Sequence, residues 1–119
     1  MDKGKRRTLI MLKNDFSVLI AQLLPGYLRL IDAIIRAKYG VRAIDLLFDN
    51  PSKLYNALKE YYGDEASAEM AFFEVFLRPL VRLLGYKVTE HELLQKIKNG
   101  EDKEVVLKIL SLYSSDKAS

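Results

Sequence analysis

Apolar residues recur at helical spacing along almost the whole chain, and no convincing alternation of period two interrupts them. From Leu9 to Leu24 they fall at Leu9, Leu12, Phe16, Leu19, Ile20 and Leu23, with Lys13, Asn14, Ser17 and Gln22 among the polar positions, which predicts an amphipathic helix. Pro25 and Gly26 end or sharply kink it. A second helix is expected from Tyr27 to Tyr39, with Leu28, Ile31, Ile34 and Ile35 apolar and Arg29, Asp32 and Arg36 on a polar face where their charges pair. Gly40 closes it, and Val41 to Phe48 reads as a short helix.

The next stretch carries its own punctuation. Asn50 suits an N-cap, Pro51 the first helical turn and Gly63 a left-handed stop, so a helix is expected between them with Leu54, Tyr55, Leu58 and Tyr61 inward, and Tyr62 beside them. Asp64 then caps a long helix to Leu84 that is apolar nearly all round apart from Glu69, Glu74, Arg78 and Arg82, and this reads as the central, most buried element. Pro79 lies inside it and should bend or divide it by removing one ladder hydrogen bond. Thr89 and Glu92 form a capping box for a short helix through Lys98. Asn99 and Gly100 turn the chain into a last amphipathic helix, Glu101 to Tyr113, carrying Val105, Val106, Ile109, Leu110 and Tyr113. The expected fold is all-α: a compact bundle of about six helices around a long apolar one. It forms a single helical domain over residues 9–113, between a flexible basic leader, 1–8, and a frayed tail, 114–119.

Composition narrows the chemistry. The chain has 119 residues, half of them apolar, enough for one domain with its own core. It has no cysteine, which removes disulfides, thiolate metal sites and a cysteine nucleophile, and a single histidine, His91, which removes a two-histidine metal cluster. No stretch approaches the roughly 18 uninterrupted apolar residues of a membrane span, and the basic start lacks a signal-like apolar run, so a cytoplasmic protein is expected. The net charge of +3 is uneven, because Lys3, Lys5, Arg6, Arg7 and Lys13 stand against Asp2 alone in the first 13 residues. The remainder is close to neutral, unlike a fold that carries a basic nucleic-acid surface of its own.

Residues 31–85, from "IDAIIRAKYG" through "DNPSKLYNALKEYYGDE" to "RPLVRLLG", resemble the small helical domains of uncharacterised archaeal proteins known as nitrosopumilus output domains. The shared pattern is a helix, a short helix ending before an "NPxKL" cap, an amphipathic helix ending in "YG", and a long apolar helix ending in "LG". The resemblance implies an archaeal helical module acting in signalling output or protein interaction, and it brings no site residues with it. The basic leader, the first helix and the last two helices lie outside it.

Candidate catalytic chemistry is sparse. His91 has Gln95 where a zinc motif would place its second histidine, so no metal site is expected. Glu69 and Glu74 are out of register as a catalytic pair, and Glu74 with Arg78 reads as a surface ion pair. The six glycines sit singly at helix ends and form no phosphate-binding loop. Neither a catalytic residue nor a cofactor site is therefore assigned, and the protein is expected not to be an enzyme. Tyr55, Tyr61 and Tyr62 cluster near Phe48, as core or as the lining of a small-ligand pocket.

Two functions fit these features. The leading one is a self-associating interaction module, with a dimer as the favoured assembly and further protein partners unknown. Its apolar surplus exceeds what one small bundle covers, and Ala66, Ala68 and Ala71 would admit a close helix. The alternative is a nucleic-acid-binding protein. It would use a helix-turn-helix-like pair with Ser52, Lys53, Asn56 and Lys59 on the exposed side of the second helix, and Lys3, Lys5, Arg6 and Arg7 as a phosphate-tracking arm.

Overall fold

Helix follows helix in the computed structural model, which describes residues 3 to 118 and their side chains to residue 115. Residues 1 and 2 of the expected leader, and residue 119 of the expected tail, lie outside the described residues. The elements are α1 (Lys3–Leu23), α2 (Pro25–Tyr39), α3 (Ala43–Asp49), α4 (Pro51–Tyr62), α5 (Glu65–Phe72), a π-helical turn (Phe73–Leu77), α6 (Arg78–Leu83), α7 (Glu90–Lys98) and α8 (Asp102–Ala118). The described residues contain no strand. Because α5, the π turn and α6 run on without a break, the chain forms seven helical rods rather than about six. Lys3 to Thr8 form the first turns of α1, and α8 continues past Tyr113.

The long apolar helix expected from Asp64 to Leu84 is not found. Pro79 has no N–H to offer the carbonyl four residues back, and the ladder upstream widens so that the Arg78 N–H reaches the Phe73 carbonyl, the spacing of a π turn. The run is also not buried all round, since Ala66, Met70 and Glu74 are exposed. Its inner side does line the core: Ala68, Phe72, Phe76, Leu77 and Leu80 are fully buried.

The core is one contiguous cluster to which every helix contributes. Leu12, Phe16 and Ile20 of α1, Ile31 and Ile35 of α2, Leu54 and Leu58 of α4, and Leu93 of α7 are all fully buried. Edge-to-face ring pairs join neighbouring helices, Phe16 on Phe48 and Tyr55 on Phe72, each with centroids 5.7 Å apart. Lys98 on α7 holds Glu65 and Glu69 of α5, the former at 3.0 Å.

Local caps start three helices. The Asn50 side chain accepts from the Lys53 N–H, Asp64 from Ser67 at 2.7 Å, and Thr89 from Glu92 at 3.2 Å. Gly63, at φ +80°, stops α4 in the left-handed region, where a side chain would be strained. The expected reciprocal half of the Thr89 capping box is replaced, because the Glu92 carboxylate meets Lys108 of α8.

Two N-termini also receive a carboxylate from another helix, α3 as its cap and α4 in addition to Asn50. Asp32 of α2 accepts the Ala43 N–H at 2.8 Å, so it caps α3 and pairs with neither Arg29 nor Arg36. Asp102, at the start of α8, accepts both the Ser52 N–H at 2.9 Å and the Ser52 hydroxyl at 2.6 Å, closing the N-terminus of α4. Each carboxylate sits where the partial positive charge of a helix end favours it.

Candidate interaction surface

An uncovered apolar surface lies where α2, the end of α4 and α5 meet. Leu28, Ile31 and Ile35 turn α2 toward the core, but Tyr27, Leu30 and Ile34 form a second apolar stripe beside them at helical spacing. That stripe faces the last turn of α4. Tyr27, Leu24, Tyr62, Met70, Ala71 and Val75 line an apolar groove of about 540 Å³, with Met70 70% exposed and Tyr27 55% exposed on its rims. A shallower depression of about 470 Å³ adjoins along α2 and α4, between Ile34, Ala37 and Tyr61.

Three tyrosines converge here. The Tyr61 and Tyr62 rings meet edge to face at 5.1 Å, and burial, followed by the neighbouring Tyr61 and Tyr27, raises the Tyr62 hydroxyl above the ordinary tyrosine range. Tyr61 is 52% exposed and not inward as its spacing from Leu54 and Leu58 predicts, because it stands on the last turn of α4, where the chain leaves for α5. Tyr55 is separate from this group. It is buried against Phe72, its hydroxyl reaches Glu65 at 3.4 Å, and burial, then Glu69 and Glu65, raise its pKa.

The charges of these helices are unevenly engaged. Arg29 and Arg36, on the side of α2 away from the Tyr27, Leu30 and Ile34 stripe, are exposed and make no ion pair among the described residues. Glu60 of α4, Glu69 of α5 and Glu74 of the π turn are paired with Lys38, Lys98 and Arg78 respectively. The Glu74 to Arg78 pair, at 3.2 Å, is the i, i+4 bridge its spacing predicts.

The residues expected for nucleic-acid contact lie on α1 and on the outer side of α4. Lys53 leans over the Tyr39 ring of α2 at 5.1 Å, Lys59 over Tyr55 at 5.7 Å, and Asn56 is exposed between them. Ser52 is engaged by Asp102. Lys3, Lys5, Arg6 and Arg7 are exposed on the first turns of α1. His91 is exposed beside Phe73, with ring centroids 5.4 Å apart. Of the three alanines, Ala68 is fully buried within the chain, Ala71 lines the groove and Ala66 is exposed. Among the described residues, no group of three or more His, Asp or Glu side chains is placed to hold a metal ion, and no helix is long and apolar enough to cross a membrane.

Tyr27 and Met70 are the positions that periodicity passed over. Tyr27 belongs to the second α2 stripe, legible only as apolar residues left over once Leu28, Ile31 and Ile35 are assigned inward. Met70 is a lone apolar residue among alanines and glutamates and gives no periodic signal. Comparison of the chain with protein-family models, with characterised proteins and with solved structures finds no match.

Proposed function

We propose that the protein is a self-associating interaction module without catalytic activity, two copies meeting through the surface of Tyr27, Tyr61, Tyr62 and Met70. The observation that carries this reading is the exposed, tyrosine-rimmed groove of about 540 Å³ between α2 and α5. Tyrosine and methionine are enriched at interface centres, tyrosine because it offers large contact area at low ordering cost and methionine because its flexible thioether adapts to the partner. A symmetric dimer is the default closed assembly for such a surface. The resemblance of residues 31–85 to the nitrosopumilus output domains fits a module whose work is contact.

Sedimentation equilibrium of the full chain, from micromolar to millimolar concentration, tests the reading. A concentration-dependent dimer is expected, with Tyr27→Glu and Met70→Glu shifting it to monomer while the denaturant midpoint of the monomer stays in place. A chain that remains monomeric throughout the range overturns it.

A further inference from the structure

The first helix carries two apolar faces, and only one is used by the fold. Leu12, Phe16 and Ile20 are fully buried. On the opposite side, helical geometry aligns Lys3, Arg7, Ile10, Met11, Asn14 and Val18, all exposed, with Ile10 at 55% and Val18 at 58%. Arg6 stands at the margin of the same strip.

This strip has no acid on it. Asp15, the acidic residue of α1, is half-buried and accepts from the Tyr113 hydroxyl, while Lys13 is occupied by Asp45 at 3.2 Å. Lys3, Arg6 and Arg7 make no ion pair among the described residues. The outer side of α1 is therefore cationic over its first two turns and, apart from Asn14, apolar from Ile10 to Val18.

We infer that the outer face of α1 docks on an anionic lipid surface, with Lys3, Arg6 and Arg7 on the headgroups and Ile10, Met11 and Val18 in the acyl boundary. A helix lying in the plane of a membrane needs this pairing of cations with exposed aliphatic side chains. A second copy fits less well, because α1 laid on α1 in either direction meets no carboxylate with its cationic end. Nucleic acid satisfies the cations but leaves Ile10, Met11 and Val18 in water. Docking leaves the bundle intact, since the inner face keeps its place in the core. The inference does not rest on the dimer surface, to which these residues contribute nothing.

Flotation of the full chain with vesicles tests it, using phosphatidylcholine alone and phosphatidylcholine with about a third phosphatidylserine. The chain is expected to float with the anionic vesicles and not with the neutral ones. Two double variants, Arg6→Gln with Arg7→Gln and Ile10→Asn with Val18→Asn, should each lower partitioning about tenfold or more. All four side chains are exposed, so circular dichroism melts should be unchanged, which separates lost docking from lost fold. Absence of flotation, equal flotation with neutral vesicles, or flotation that survives both variants would overturn the inference. So would duplex DNA binding at least as tight as vesicle binding and indifferent to Ile10→Asn with Val18→Asn. A dimer that this same variant, rather than Met70→Glu, turns into monomer would assign the face to a second copy and overturn it equally.

Discussion

The Tyr113 hydroxyl donates to the Asp15 carboxylate, fastening the last helix to the first across 98 positions of sequence. Tyr113 is otherwise buried, and burial first, then the Asp15 hydrogen bond and charge, pushes its pKa above the ordinary tyrosine range. Tyr113→Phe keeps the ring and removes the bond, leaving a half-buried carboxylate short of one donor. A loss of about 1–3 kcal/mol in urea unfolding is expected.

The same bond sets an alkaline limit. A hydroxyl whose pKa is raised in the folded state contributes stability that is fully present below the unfolded tyrosine pKa, about 10, and is lost as pH rises toward the folded value. Urea midpoints should therefore fall above about pH 10 in the wild type and fall less steeply in Tyr113→Phe. Parallel slopes for the two proteins would count against Tyr113 as the group responsible.

Asp102→Ala should destabilise the fold although Asp102 lies in no core cluster. It strips the α4 N-terminus of the acceptor for the Ser52 N–H and hydroxyl, an effect of about 1–2 kcal/mol. Asp102→Asn, which keeps an acceptor oxygen, should recover part of the loss in the same unfolding assay.

Leu58 is fully buried in the middle of α4, so Leu58→Ala should cost about 2–5 kcal/mol. Lys53→Ala, on the exposed side of the same helix, should change the unfolding midpoint little. A loss below about 0.5 kcal/mol for Leu58→Ala would remove α4 from the core.

At acid pH the corresponding group is Asp45. The Arg42 side chain, at 3.0 Å, and then Lys13 hold its carboxyl below the usual aspartate range. The stability this gives is present above the unfolded pKa, about 4, and is lost as pH falls toward the lower folded value. Because Asp45 is about a third exposed, the effect is small, and Asp45→Asn should flatten the acid limb of the stability profile below about pH 4 without moving the neutral plateau much.

The elements that proved legible are those whose signals are local. Asn50, Pro51 and Gly63 bracket α4, and Leu54, Tyr55 and Leu58 lie inward, because caps and a 3.6-residue stripe are written within one helix. Asp32 was misread for the opposite reason: its spacing from Arg29 and Arg36 suggests an ion pair, whereas its acceptor is spent on a neighbouring helix that spacing does not reveal. Pro79 announced a disturbance, but a π turn and a clean break leave the same mark in a sequence. The surface around Tyr27 and Met70 escaped because exposure depends on which stripe the other helices choose to cover. With two apolar stripes on α2 and two on α1, periodicity marks both and ranks neither.

The reach of Asp102 to Ser52 also bears on the order in which the chain is completed. During synthesis, α4 emerges with its own Asn50 cap, but the carboxylate that satisfies the Ser52 N–H follows 50 residues later. The seven-residue α3 is too short to persist alone and draws its cap from α2. α4 therefore reaches its final stability only when α8 has docked, which ties local helix formation to the packing of the whole chain. A chain stalled before α8 would hold an α4 that is helical but frayed at its start.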